Sequence, residues 1–371
     1  MLSFVVTVYR AWAYLPRCVD SILSQTREDI ELILVDDGSP DRCPKLCDRY
    51  ADLDPRVQVI HQKYGGLVRA RNRGIEAARG EYVCLVDSGD TVSPHLAERL
   101  AAVRDAAPQP PDLMLFGYRI HDRDREEDAP PRFAAGYYDR QAMRREILPY
   151  FISDRRSAWW EPGVPLPLFC KAIRREYLLA HRFTDETAVL GADAAQSFEC
   201  LFFAKSLAVC GELLYECDRT RPDFAARRAR KDPLDHFARL YTHLRAAIGG
   251  NSLSVDRQMN DYFADQVLRV VHREAEQDAP VLEVSRRLRE DFRRTGLLER
   301  LDPEPLPMQP RTELVLLRLG WVTPVLLALR AERARKTRRN AAPRWQGPFF
   351  RREAPPQPLP PRHATGIADP R

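Results

Sequence analysis

The feature that most constrains this chain is an alternation across its first third, where apolar, β-branched runs are separated by stretches with helical periodicity. The runs are Leu2–Val8, Ile30–Val35, Val57–His61, Glu81–Val86 and Asp112–Phe116. Between them, Leu15–Gln25 places Leu15, Val19, Ile22 and Leu23 at helical spacing, and Arg42–Leu53, Leu67–Arg79 and Pro94–Ala106 read as further helices. A strand that is apolar along its whole length must be covered on both faces, and helices between strands supply the crossovers that a parallel sheet requires. The expectation is an α/β fold, with a mostly parallel twisted sheet flanked by helices. Ligands of such sheets lie at the carboxyl ends of the strands. That rule selects Tyr9–Arg10, Asp36–Ser39 and Asp87–Asp90.

Beyond this unit, Pro108–Pro111 and the charged stretch His121–Arg132 read as a separator. Residues from about 137 to 218 hold further helix and strand candidates, including the amphipathic run Ala194–Lys205. From Asp232 to Leu301 the pattern is helical and highly charged. Gly347–Arg371 is rich in proline and arginine, a composition that cannot bury enough apolar surface to fold. The whole chain has 371 residues, 44% hydrophobic and 30% charged, with a net charge of +5, which argues against a dedicated nucleic-acid binder. Its eight cysteines form no C-x-x-C pair and several sit in apolar runs, so they read as reduced core thiols; Cys43 and Cys47 lack a second pair to complete a zinc site. Leu2–Val8 is too short, and lacks the basic start, to be a signal peptide. No stretch reaches the roughly 18 apolar residues needed to span a membrane. A cytoplasmic location is expected.

Three segments carry candidate chemistry. The run Ile30–Val35 leads into Asp36-Asp37-Gly38-Ser39-Pro40-Asp41, and Glu81–Val86 into Asp87-Ser88-Gly89-Asp90. Each is a polar turn, with a helix cap at Ser39 or Asp41 in the first, or a set of carboxylates held at a ligand edge. Carboxylates near a diphosphate make sense with a cation between them, and magnesium or manganese takes such oxygen ligands. Gly65-Gly66-Leu67-Val68-Arg69-Ala70-Arg71 sets paired glycines ahead of a helix with two arginines in its first turns, which suits an anion near the helix N-terminus. It is not a dinucleotide fingerprint.

In order and spacing, these segments together with Val5–Arg10 and Ser21–Thr26 resemble the inverting glycosyltransferases of the GT-A fold, often called family 2. The resemblance is dense from residue 2 to about 117 and fainter to about 217, through Phe169–Glu176 and Gly191-Ala192-Asp193. It implies a GT-A domain over residues 1–218, with a nucleotide-binding half at 1–120 and an acceptor half at 121–218. A helical C-terminal region would follow at 232–340 and a disordered tail at 341–371. It also implies a nucleotide-sugar donor, a glycan or lipid-linked acceptor, and Mn²⁺ or Mg²⁺. Thr7 and Tyr9 would line the nucleotide pocket, Asp37 would contact the base, usually uracil, and Arg71 would lie beside the base or phosphates. Asp87 and Asp90 would serve the ribose and the metal, and Asp193 would be the general base. The chain departs from the family pattern at three places. Arg10 replaces an asparagine, Gly89 an acid, and Ala192 an acid beside the proposed base. These departures motivate an alternative, a catalytically silent member serving as a binding subunit of a polysaccharide assembly complex.

Near the C-terminus, Leu314–Val322 and Val325–Leu329 flank Pro324 and are followed by Arg330, Arg333, Arg335, Lys336, Arg338 and Arg339. The stretch is either a helix packed on the domain with a basic, solvated end, or an interfacial helix resting on an anionic membrane at the inner face of the plasma membrane. No nucleic-acid-binding motif accompanies the basic run.

Overall fold

The expected alternation folds into a ten-stranded mixed sheet in the computed structural model, which describes residues 1–123, 125–155, 167–183, 192–221 and 232–341. Strands β1 (Leu2–Val8), β2 (Ile30–Asp37), β3 (Val57–Gln62) and β4 (Tyr82–Asp87) are joined by helices α1 (Leu15–Leu23), α2 (Cys43–Leu53) and α3 (Leu67–Ala77). β2 and β4 flank β1 in parallel, and β3 pairs parallel to β2. The chain therefore runs outward from β1 to β3, then returns to the other side of β1 for β4. The carboxyl ends at this reversal are Thr7, Asp36–Asp37 and Asp87, with Thr7 in register with both Val35 and Asp87. β1, β2 and β4 are buried almost throughout, as runs apolar on both faces require.

α3 packs on β1 and β2 through Gly74, where a Cβ would press into Val5 and meet Val35 Cγ2 at 3.2 Å. Only a glycine lets the helix approach this closely. α2 begins at Cys43 with Arg42 as its N-cap, and the expected side-chain cap is absent; Asp41 Oδ1 instead accepts from the Cys43 N–H (3.0 Å), closing the turn after β2.

After β5 (Thr91–Val92) and α4 (Leu96–Ala106), β6 (Leu113–His121) extends well past the apolar run that announced it. The charged stretch expected as a separator is instead a hairpin on the sheet, with β7 (Glu126–Ala129) antiparallel to β6. Cross-strand charge pairing, with Arg119 on Asp128 and His121 on Glu126, stabilises what hydrophobic alternation did not signal. β8 (Gly136–Tyr138), the short helix α5 (Arg140–Ala142), β9 (Lys171–Arg174), α6 (Arg175–Ala180), α7 (Ala192–Phe203) and β10 (Leu207–Asp218) follow. β9 lies antiparallel between β4 and β6, and β10 runs parallel to β6. The order across the main path is β3-β2-β1-β4-β9-β6-β10-β5.

Helices α8 (Pro233–Ala247), α9 (Leu253–Ala275), α10 (Val281–Thr295) and α11 (Met308–Arg318) belong with the sheet to one unit, Met1–Leu329. α9 is buried along much of its length, and Gln258 on it binds the backbone of Leu148 and Ile152 (both 3.0 Å). The last helix, α12, spans Val322–Ala341. Leu314, Leu317, Val322, Val325 and Leu326 are buried, so part of the apolar stretch that could face a membrane is core; Val315, Leu319, Trp321 and Leu327 are exposed. The second unit, Arg330–Arg371, is described to Ala341 and is helical there, with Lys336 paired to Glu332 at 2.6 Å. The proline- and arginine-rich tail lies outside the described residues. All eight cysteines are free and buried.

Candidate active site

Because β1, β2 and β4 are parallel neighbours, their carboxyl ends set Thr7, Asp37 and Asp87 along one edge, and the loops after them carry the remaining site residues. The centre of the site is Arg71. It projects from the second turn of α3 and is 3% exposed. Its Nη1 donates to Asp193 Oδ1 (2.6 Å) and to Gln196 Oε1 (3.3 Å), while Nη2 lies 3.7 Å from Asp87 Oδ1. Burial works against the Arg71 charge, and Asp193 and Asp87 outweigh it, raising its pKa above the ordinary arginine range. Three residues predicted separately from three motifs thus form one cluster. Asp193 sits in the first turn of α7, with its side chain one-third exposed. Asp87 is more open, at 41%.

Asp37 has a different employment. Its Oδ1 accepts from Gln62 Nε2 (2.7 Å) and the Gly65 N–H (2.8 Å), and its Oδ2 from the Gly66 N–H (2.8 Å). The paired glycines do hold an anion ahead of α3, and that anion is the chain's own Asp37. Gly66, with φ 87°, is in the conformation that turns its amide toward the carboxylate. A carboxylate has about four lone-pair sites, so one acceptor position remains for a ligand. Asp36 is likewise internal, accepting from the Ser39 N–H (3.0 Å) and pairing with His61 Nδ1 (2.8 Å). The Asp36 and Asp48 hydrogen bonds raise the His61 pKa.

Tyr9 and Thr7 are half-buried, and the Tyr9 ring lies 4.9 Å from that of Tyr64, which is 66% exposed. Sequence reasoning missed Tyr64, which has no motif of its own beyond standing before Gly65. Arg10, at the first departure from the family pattern, has φ 53°, and its N–H donates to Ser39 Oγ (2.8 Å).

Asp90 is 1% exposed, and its oxygens are taken up by residues more than a hundred positions later. Oδ2 accepts from Tyr215 Oη (2.8 Å), and Oδ1 from the Asp218 N–H (3.0 Å) and Arg221 Nη2 (3.2 Å). Burial, with the charge of Asp87 adding to it, pushes the Asp90 pKa up to about 7. Arg17 on α1 donates to Asp218 Oδ2 (2.6 Å) and to the Gly89 carbonyl (3.4 Å). Burial opposes the Asp218 charge, and Thr220 and Arg17 outweigh it, so that carboxyl titrates below its ordinary range. None of Arg17, Tyr215, Asp218 and Arg221 stood out in the sequence. Among the described residues, no three His, Cys, Asp or Glu side chains gather as a metal site. The donor set does not fit the metal that Asp87 and Asp90 were expected to hold, since only Asp87 presents an open carboxylate.

Residues 3–181 match the family described as glycosyl transferase family 2. An uncharacterized glycosyltransferase of Bacillus subtilis, EpsJ, is 42% identical over 160 residues, 43% of this chain and 46% of the relative. The glycosyltransferase GlyG of Streptococcus pneumoniae is 41% identical over 199 residues, 51% of this chain and 64% of that protein. Both relatives are thus matched over less than two thirds of their own length. Among solved structures, TarS of S. aureus (residues 1–349, in complex with UDP-GlcNAc) is 16% identical. It superposes with a TM-score of 0.67, over 90% of this chain and 92% of that 1–349 chain, which shows a shared fold.

Proposed function

From the premise that residues 3–181 belong to glycosyl transferase family 2, we propose that the chain transfers a sugar, with inversion, from a nucleotide-sugar donor to a hydroxyl of a glycan or lipid-linked acceptor. The observation that carries this reading is the Arg71 cluster. A buried guanidinium at the carboxyl ends of the parallel strands is shared between a carboxylate on the nucleotide side, Asp87, and one on the helix beyond it, Asp193. In the reaction, the acceptor oxygen attacks the anomeric carbon as the bond from that carbon to the diphosphate oxygen breaks. The electron pair leaves with the diphosphate, and Asp193 takes the acceptor proton. Arg71 holds Asp193 in place and supplies fixed positive charge near the departing group. Binding both partners at one edge provides the proximity term.

Uridine is the proposed nucleotide, supported by the UDP-GlcNAc complex of TarS. Tyr9 with Tyr64 forms an aromatic wall for the base, and the remaining acceptor position of Asp37 faces a base N–H. No helix among the described residues is long and apolar enough to cross a membrane. The basic helical segment Arg330–Lys336 is proposed to rest on anionic lipid at the cytoplasmic face, which would bring a lipid-linked acceptor within reach. Calorimetry with UDP-, GDP- and CDP-linked sugars tests the donor reading. Saturable heat with a UDP-sugar is expected, and no heat with any of the three would refute it and favour a silent binding subunit.

A further inference from the structure

The expected metal site and the residues standing in it disagree, and the disagreement has a definite form. Gly89 occupies the position where the family pattern has an acid. A Cβ at Gly89 would fall on Nη1 of Arg221, so the guanidinium fills the space in which that acidic side chain would begin. Arg221 is itself buried at 7%, donates Nη2 to Asp90 Oδ1 (3.2 Å) and Nε to the Asp218 carbonyl (2.9 Å), and lies over the Tyr14 ring. Asp90 accepts from Tyr215, Asp218 and Arg221 and is only 1% exposed, so its carboxylate lies beneath these donors and not at the surface. Beside it, Arg17 bridges Asp218 and the Gly89 carbonyl with its side chain 59% exposed.

We infer that the donor's diphosphate is met at this turn by arginine rather than by a divalent metal, with Arg17 contacting the phosphates and Arg221 standing beneath them as a fixed internal cation. The inference rests on the transferase reading above. A guanidinium offers several donors in a planar fork that matches phosphate oxygens, and its charge does not depend on pH in the working range. A metal ion placed here would have one open carboxylate, Asp87, and would face the charges of Arg17, Arg71 and Arg221. Repulsion from like charges at these separations is large wherever water is excluded. The chemistry needs only that negative charge developing on the leaving diphosphate be neutralised, and a preorganised guanidinium does this without a bound ion.

The test is binding of UDP, GDP and CDP to the full chain by calorimetry, in EDTA and again in MnCl₂, with folding followed by circular dichroism. The affinity for the preferred nucleotide is expected to be the same in both buffers within about twofold, and Arg17→Ala to weaken it about tenfold in each. Gly89→Asp combined with Arg221→Ala restores the acid and removes the guanidinium, and should make binding manganese-dependent. A wild-type affinity that falls tenfold or more in EDTA overturns the inference and leaves the transferase reading intact. An absence of binding by all three nucleotides in both buffers overturns the reading and the inference together. Should the double variant fail to fold, the wild-type comparison and Arg17→Ala still decide.

Discussion

Asp193→Asn separates the two jobs that the site gives this residue. The substitution keeps the shape and leaves an amide oxygen to accept from Arg71 Nη1, so what is lost is the charge on that hydrogen bond, now 2.6 Å long. Hydrogen bonds to charged groups are worth about 1.5–3 kcal/mol net and neutral ones about 0.5–1.5, which sets the stability cost near 1 kcal/mol. The Asp193 side chain is one-third exposed, which screens the loss, and Arg71 keeps Gln196 at 3.3 Å and Asp87 at 3.7 Å. For a unit that runs from Met1 to Leu329, a cost of that order lowers Tm by only about 1–2 °C. Removing a general base costs on the order of 10²–10⁴ in rate, far more than the stability change could produce. The assay is initial-rate transfer with the donor identified by calorimetry, alongside nucleotide Kd and a thermal melt on the same preparation. The expected result is a kcat reduced at least a hundredfold, with nucleotide Kd within about threefold of wild type. If kcat is retained, Asp193 is not the base. If nucleotide affinity collapses along with kcat, the residue acts by holding Arg71, and the proton must be taken elsewhere.

The remaining predictions concern the basic helix and the strand edge. Replacing Arg333, Arg335 and Lys336 by glutamine should abolish co-sedimentation with phosphatidylserine vesicles; at about 1 kcal/mol per basic residue the loss is on the order of 100-fold in partitioning. Equal sedimentation of variant and wild type would sink the membrane-surface proposal. Truncation before Leu314 is the wrong test, because it removes core side chains as well as charge. At β3, the His61 pKa is raised in the fold by Asp36 and Asp48. Its stabilisation is therefore complete below the ordinary value of 6.5 and fades as pH rises through the raised one. Tm should fall across that window in the wild type and less steeply in His61→Gln; identical slopes would show that this contact carries no pH dependence.

Legibility in the sequence followed the locality of the forces. β1, β2 and β4 were evident because they are apolar on both faces, and α1 because its buried face repeats at helical spacing. β9 is four residues, Lys171–Arg174, and exists because β4 and β6 present it with two antiparallel edges. β7, with the sequence Glu-Glu-Asp-Ala, has no apolar pattern at all, and its place is fixed by backbone pairing and cross-strand charge. The site divides in the same way. Motif reasoning found Asp87, Arg71 and Asp193, whose meeting needs only that strand ends and helix starts share an edge. It could not find Arg221 or Tyr215, which reach Asp90 from more than 120 residues away in sequence.

The same distance explains why the internal partners of the motif acids are not legible in the sequence. A carboxylate at a strand end, read from its neighbours alone, is an acceptor awaiting a base, a ribose or a metal. In the folded chain Asp36, Asp37 and Asp90 are buried, and a buried carboxylate must have its lone pairs filled or give up its charge. The fold fills them from within, with Gly65 and Gly66 at Asp37, His61 at Asp36, and Arg221 at Asp90. Asp87 and Asp193 alone among the expected site acids stay partly open, and both are joined to Arg71. Asp36 and Asp90 therefore shape the loops, and the partly open Asp87 and Asp193 are the acids proposed for the reaction. A search for working carboxylates in such a sheet should rank them by exposure after folding, not by their position in the motif.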